Sequence, residues 1–288
     1  MTAFEQRDRL MLGAVYMVLA MLMGASIDVS VKTLTAGYGT AQIVFLRSLF
    51  ALPVILIVCV RECGLARLAT PHWGWQLYRG ALAAGSTFGF FYGLAYLELV
   101  TAVLLAYVSP VLIVLLARPV LGERVGLHQW LGISIALGGV LTVLQPTRLD
   151  VHPAAFAIIG SGLCWALLSL SNRRLAQQEP AAVLAFYTLP VSVVVSAVLM
   201  IDDWSTPVVL VDWLLLGVAG VTGGFVHIFA ALAYRHAPPA VIAPLEYTTL
   251  IWAGIAGYLF WGEIPTVWIV VGGAAVMAGG YIAMQGRG

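Results

Sequence analysis

Ten apolar stretches of about twenty residues each follow one another along this chain, and that spacing limits the fold more than any motif does. They cover roughly residues 10–34, 40–60, 75–97, 100–118, 127–145, 154–175, 181–201, 211–234, 239–260 and 264–285. About 20 apolar residues in a helix span the hydrocarbon core of a bilayer. The joints are short and either polar or rich in Pro and Gly, as at Gly37-Tyr38-Gly39, Arg61 to Pro71, Gln145 to Pro153 and His236-Ala237-Pro238-Pro239. The period-two alternation of a barrel strand is absent. Of the 288 residues 61% are hydrophobic and 9% charged, where a soluble domain is about 25% charged. A soluble fold of this size cannot hide so much apolar surface. The expectation is an all-α integral membrane protein with ten transmembrane helices.

Charge excludes some functions and orients the chain. A net charge of +1, from 14 basic and 13 acidic residues, builds no field for holding nucleic acid. Arg7 and Arg9 precede the first stretch as they would in a signal peptide. That stretch is longer than a signal's apolar region and carries Asp28 and Lys32 near its end, so it reads as a retained span. With the N-terminus inside, Arg7, Arg9, Arg61, Arg67, Arg79, Arg118, Arg124, Arg173, Arg174, Arg235 and Arg287 fall on the cytoplasmic side. Lys32 and Arg148 fall outside, and Arg47 lies within a span. The excess of arginine on one side puts both termini in the cytoplasm. Cys59, Cys63 and Cys164 sit in or beside spans and form no metal or disulfide pattern. Most tryptophans fall at interfaces; Trp165 and Trp252 fall deeper, where aromatic packing accounts for them.

The chain also repeats itself at an offset near 140 residues. Registered on Gly122-Glu123 and Gly262-Glu263, Leu105 matches Leu245, Tyr107 matches Tyr247, Gly132 matches Gly272, and Gly139 matches Gly279. Ala95-Tyr96 matches Ala233-Tyr234, while Lys32 and Phe45 match Arg173 and Phe186. Five spans per unit is an odd number, so the second copy enters the membrane upside down. Inverted repeats with a site between them are a recurring build of secondary transporters, because two similar halves that exchange conformations open the site to each side in turn.

These same residues carry a resemblance. Each half has a Gly-Glu after its fourth span, a fifth span opening on Trp130-Leu131-Gly132 or Val270-Val271-Gly272-Gly273, and a Gly-Gly near its end. Phe45-Leu46-Arg47 stands in the second span. The whole chain resembles tandem EamA repeats of the drug/metabolite transporter superfamily, and is particularly similar to the bacterial exporters of aromatic and other amino acids. The resemblance implies EamA-like repeats at residues 1–147 and 148–288 around a central cavity, in the inner membrane, moving metabolites without ATP. Two departures stand out: the second half lacks a Pro matching Pro110 and has Thr188 where the first has Arg47.

Ionisable groups inside a span are candidates for function, because hydrocarbon leaves them costly unless partnered. Asp28 and Lys32 lie four apart on one helix face, and Arg47 enters the next span about 10 Å from the same interface. The three form either a local ion-pair cluster or an outer gate. Glu246 follows Pro244 in the ninth span, opposite Ala106-Tyr107 of the first half. It is suited to hold a substrate ammonium or take up a proton, or else is a structural acid beside Tyr247. His227 stands where the first half has Gly89 and is either a packing residue or a proton relay. Gly85, Gly89 and Gly93 form a small-residue stripe for helix packing, beside aromatic Phe88, Tyr92 and Tyr96. Candidate substrate contacts are thus Glu246, Tyr247, Tyr92, Phe88, Tyr107, His227 and Trp165, with Phe229 and Tyr234 as further aromatics. Pro53 and Pro190, and Pro110 and Pro244, interrupt corresponding spans and are candidate hinges.

The expected activity is that of a secondary transporter exporting amino acids by alternating access, acting as a monomer, with no cofactor or metal. Export of another small metabolite or a drug is the alternative. Protons are a candidate coupling ion, and facilitated diffusion remains open. No phosphate-binding GxxxxGK[ST] loop marks a primary pump, and no HExxH or GxSxG motif marks a membrane enzyme. A passive channel would differ in showing no saturable exchange.

Overall fold

The computed structural model describes residues 3–122, 126–144 and 152–285. Glu123, Arg124, Arg148 and Arg287 lie outside the described residues. Among the described residues the chain is all-helical, in the order α1 (Ala3–Leu34), α2 (Thr40–Glu62), α3 (Trp73–Tyr96), α4 (Leu99–Ala106), α5 (Val108–Leu121), α6 (Leu127–Leu144), α7 (Pro153–Leu175), α8 (Ala181–Phe186), α9 (Leu189–Leu199), α10 (Leu210–His236), α11 (Pro239–Ile242), α12 (Thr248–Trp261) and α13 (Val267–Gln285), with 3-10 turns at Leu65–Leu68 and Ala243–Tyr247. Among the described residues, six helical stretches are long and apolar enough to cross a membrane: Asp8–Leu34, Thr40–Glu62, Leu99–Ala117, Pro153–Leu175, Ala181–Leu199 and Leu210–His236. Leu214, Val198, Leu259, Phe260 and Val270 face outward, exposed. Water tolerates few such contiguous surfaces, whereas hydrocarbon is their natural solvent. The protein is a multi-pass membrane protein.

Three stretches expected as single helices are broken, and proline explains two of the breaks. A proline ring collides with the carbonyl four residues back. Pro110 places that collision at Ala106, where α4 ends; Pro190 places it at Phe186, where α8 ends. Each proline then sits in the first turn of the next helix, where its missing N–H costs nothing. Pro244 opens the 3-10 turn that separates α11 from α12. Pro53 lies within an uninterrupted α2. The candidate hinges therefore divide into three helix starts and one mid-helix proline. Val108 and Thr248, which open α5 and α12, lie 140 positions apart, the offset of the repeat.

Small residues set how closely the helices approach. A Cβ on Gly139 would meet Gly272 O at 2.6 Å and Val276 Cγ2 at 2.9 Å. A Cβ on Gly279 would meet Gly132 O and Ala136. Every member of the first contact has its 140-offset partner in the second, so α6 and α13 bury the same face against each other. The stripe Gly85, Gly89 and Gly93 on α3 seats Cys164, Ala157, Ser161 and Ile158 of α7, which makes it a packing face. On α10, Gly220 and Gly224 bring the backbone against Arg47 O, Phe50 and Ala51 of α2.

Gly139→Leu should therefore force α6 from α13 and destabilise the protein by about 1–3 kcal/mol, as overpacking does. Gly138 has nothing within 4 Å of its Cβ direction, so Gly138→Leu is the control and should shift stability by less than about 0.5 kcal/mol. Thermal unfolding of the two purified variants in detergent measures the contrast, and equal melting temperatures would refute the packing argument.

Candidate functional site

Eight helices and the turn before α12 enclose a cavity of about 190 Å³. Met21, Ile27 and Asp28 of α1, Arg47 of α2, and Ala83, Ser86, Thr87, Phe90 and Phe91 of α3 line one side. Val103, Ala106, Tyr107 and Ser109 come from α4, α5 and the break between them; Ser161, Gly162 and Trp165 come from α7; Gly223 and His227 come from α10; Glu246 and Thr249 complete the wall. The wall is mostly apolar with a few polar groups converging on it, the usual build of a small-molecule site. Asp28, Arg47, Tyr107, Trp165, His227 and Glu246 thus meet around one space although the chain scatters them over more than two hundred positions.

Glu246 is the most fully engaged of them. It is 4% exposed and sits in the 3-10 turn that Pro244 opens. Trp165 Nε1 donates to Oε2 at 3.2 Å, Ser109 Oγ lies 3.5 Å from the same oxygen, and Tyr234 O–H donates to Oε1 at 3.1 Å. Donors aimed at both oxygens hold the carboxyl group in one orientation. Below it, the Tyr107 hydroxyl donates to Tyr247 O at 3.1 Å, and the two rings meet edge-on with centroids 5.0 Å apart. His227 stands with its ring 6.3 Å from that of Trp165.

Some expected contacts lie elsewhere. Tyr92 is 41% exposed and packs on Tyr96, which in turn stacks on His152. Phe88 packs against the main apolar core, and Tyr247 is buried without reaching the cavity wall. The cavity face of α3 is Ala83, Thr87, Phe90 and Phe91 instead, because the Gly85-Gly89-Gly93 face is committed to α7.

The expected grouping of Lys32 with Asp28 and Arg47 requires correction. Lys32 forms an ion pair with Glu263, donates to Leu97 O at 3.2 Å, and lies 5.1 Å from the Trp261 ring centre. The other Glu263 oxygen accepts from Leu99 N at 3.0 Å, at the start of α4. Glu263 thus ties the end of α1, the α3–α4 turn and the end of α12 together. The sequence marked it only as part of a repeated Gly-Glu. Asp28 is 8% exposed and makes no ion pair with any described residue, although Lys32 lies one helical turn away.

Toward the opposite end of the bundle lies Arg79, expected on the cytoplasmic side. Arg79 is 1% exposed and donates to Gln76, Asn172 of α7 and Leu184 O of α8. Nearby, Arg173 donates to Tyr234 O at 3.1 Å, and Glu179 pairs with His72 and Thr70. The charge-side rule locates an arginine within a few residues of an interface; it does not say whether the side chain turns outward or inward. Among the described residues no group of three His, Cys, Asp or Glu side chains is disposed to hold a metal ion.

Breaking the Lys32–Glu263 pair from one side should cost about 3 kcal/mol, since the remaining charge stays largely buried. Glu263→Gln keeps an acceptor for Leu99 N and removes only the charge. The double variant Lys32→Met/Glu263→Gln should lose less than the sum of the single losses, with a coupling of about 1 kcal/mol or more. A double-mutant cycle by thermal or chemical unfolding measures it, and strict additivity would show that the contact carries no stability.

The sequence pattern of the EamA-like transporter family matches residues 11–145 and again 152–285. The chain is 28% identical to the pseudopaline exporter CntI of Pseudomonas aeruginosa, over 94% of this chain and 95% of that one. It is 28% identical to a riboflavin transporter of Rhizobium johnstonii, over 96% and 92% of the two chains. It is 25% identical to an S-adenosylmethionine uptake transporter of Rickettsia prowazekii, over 88% and 85%. A solved crystal structure aligns with a TM-score of 0.73 at 20% identity, covering 96% of this chain and 97% of its own, and so shares the fold. With both halves matched and its relatives named as an exporter and transporters, this chain belongs to the EamA-like transporter family.

Proposed function

We propose that this protein is a secondary transporter that exports amino acids, aromatic ones included, across the cytoplasmic membrane by alternating access. The observation that carries the reading is Glu246, a buried carboxylate on the cavity wall, oriented by Trp165 and Tyr234 of one half and faced by Ser109 of the other. A carboxylate at that place meets the need of a substrate ammonium for an acceptor away from water. Phe90, Phe91 and Trp165 supply apolar wall for a side chain. A cavity of about 190 Å³ is below the roughly 300–1,000 Å³ of drug-sized pockets, which favours small metabolites over larger drugs.

Ten spans in two inverted halves, residues 1–147 and 148–288, with both termini cytoplasmic, make up the moving parts of this reading. The exchanged contacts of Gly139 and Gly279 support a two-fold relation, as does the meeting of Tyr107 with its offset partner Tyr247. Alternating access then consists of the halves rocking about this axis. The helix starts at Pro110, Pro190 and Pro244 serve as joints, with Pro53 as a kink in α2. The Lys32–Glu263 tie and Arg47 with Asp28 act on the outer path, and Arg79 with Asn172 on the inner one. Tyr92, Phe88 and Tyr247 stay candidates for contact in another conformation of the cycle. The protein works as a monomer in the lipid bilayer, with protons as the coupling ion through Glu246, or by facilitated diffusion. A second reading, transport of another metabolite class in either direction, is favoured by the relatives, whose names include both an exporter and an uptake transporter.

Counterflow tests the two readings together. Liposomes holding the purified protein and unlabelled phenylalanine should accumulate labelled phenylalanine, saturably. Glu246→Gln should slow that exchange by about tenfold or more, the worth of one charge-assisted hydrogen bond. Undiminished exchange would make Glu246 a structural acid. Exchange of riboflavin or S-adenosylmethionine in place of every amino acid tried would move the assignment to the second reading.

A further inference from the structure

The cavity contains a cation that no acid among the described residues neutralises. Arg47 is 5% exposed, yet no carboxylate among the described residues pairs with it. Its Nη2 donates to Thr87 Oγ1 at 3.1 Å, and its guanidinium carbon lies 5.0 Å from the Phe91 ring centre. Its Nε has no hydrogen-bond partner among the described residues. Space on the Nη1 side is kept by a glycine, since a Cβ on Gly223 would stand 2.9 Å from Nη1. A guanidinium offers donors in a planar fork that matches a carboxylate. One hydroxyl and one ring face leave most of that fork unused, and a buried ion without its counter-charge is costly.

The repeat sharpens the point. The residue matching Arg47 in the second half is Thr188, whose hydroxyl donates to Ala185 O of its own chain segment. The residue matching Glu246 in the first half is Ala106, which lines the same cavity. Two similar halves therefore break their likeness in opposite senses: the first contributes a cation where the second is neutral, and the second an acid where the first is neutral. Asp28 shares the cavity wall with Arg47, but it does not close on the guanidinium. Packing alone gives no reason to keep Arg47 apart from both Asp28 and Glu246 in a cavity within hydrocarbon. A ligand bearing both charges does.

We propose that Arg47 is the carboxylate anchor of the substrate site, seating the acid end of a zwitterionic ligand whose ammonium end faces Glu246. This rests on the reading of the cavity as the transport site, and it replaces a gating role for Arg47 with direct contact. Thr87 then positions the guanidinium, and Gly223 keeps open the approach of the carboxylate.

Isosteric ligands separate the anchor from the transport assignment. Purified protein in detergent would be titrated with phenylalanine, phenylalaninamide and 3-phenylpropanoate by calorimetry. Wild-type protein should bind phenylalanine about tenfold or more tightly than the amide, the difference expected for one charge-assisted contact. Arg47→Gln should erase that preference by weakening the acid and sparing the amide, and Arg47→Lys should recover part of it. The comparison of acid with amide needs no variant, so it stands even if Arg47→Gln folds poorly. Equal wild-type affinity for acid and amide overturns the anchor and leaves amino-acid transport intact. Binding of 3-phenylpropanoate that depends on Arg47, with no binding of phenylalanine, keeps the anchor and removes the amino-acid assignment. Binding of none of the three overturns the anchor.

Discussion

Hydrocarbon offers no hydrogen-bond partner, so each polar group that enters it must find one within the protein. Most of this structure follows from that demand. Serine and threonine side chains turn back onto their own helices: Ser30 donates to Ser26 O at 2.8 Å, Ser48 to Val44 O at 2.6 Å, and Thr222 to Val218 O at 2.6 Å. Arg79 is folded inward among Gln76, Asn172 and a backbone carbonyl. Glu263 satisfies Lys32 and the first N–H of α4 at once. Asp28, Arg47, His227 and Glu246 converge on one cavity. An apolar exterior and a polar centre are two sides of the same requirement.

Close approach of the helices is what lets so many groups converge. Glycine supplies it at two of the contacts between the halves in particular: Gly139 and Gly279 between α6 and α13, and Gly220, Gly223 and Gly224 between α10 and α2. The second set has a chemical consequence as well as a steric one. The α10 backbone comes close enough to α2 to wall in Arg47, and the absence of a side chain at Gly223 leaves its Nη1 room. Likewise the helix breaks before Pro110 and after Pro244 bring Tyr107 and Glu246 to the cavity instead of carrying a regular helix past it. Similar packing in the two halves coexists with a charge difference between them, Arg47 against Thr188 and Glu246 against Ala106.

Much of the architecture was legible in the sequence because it depends on one-dimensional properties. The apolar stretches, their near-140 offset and the packing stripe on α3 follow from hydrophobic runs and small-residue spacing. Glu246 could be singled out because an acid deep in an apolar run needs a reason. Partners were harder to read. Lys32 lies one turn from Asp28, a spacing that favours pairing on an isolated helix, yet it pairs with Glu263, 231 positions away. Tyr92 shares an aromatic stripe with Phe88, but rotation of α3 onto α7 turned that stripe away from the cavity. Arg79 looked like a surface charge because a count of arginines carries no side-chain direction.

The sequence by itself determined that this chain is a helical membrane protein with a self-similar second half, and that its few intramembrane charges required explanation. Burial cost and helix length are properties of a segment, so they are readable from the segment. Which groups meet is set by the fold: Lys32 meets Glu263, Glu246 meets Trp165 and Tyr234, and Arg47 meets no acid among the described residues. Those pairings depend on the rotation of each helix about its axis. That rotation is set by glycine contacts and proline breaks distributed over the whole chain, and no local stretch contains it.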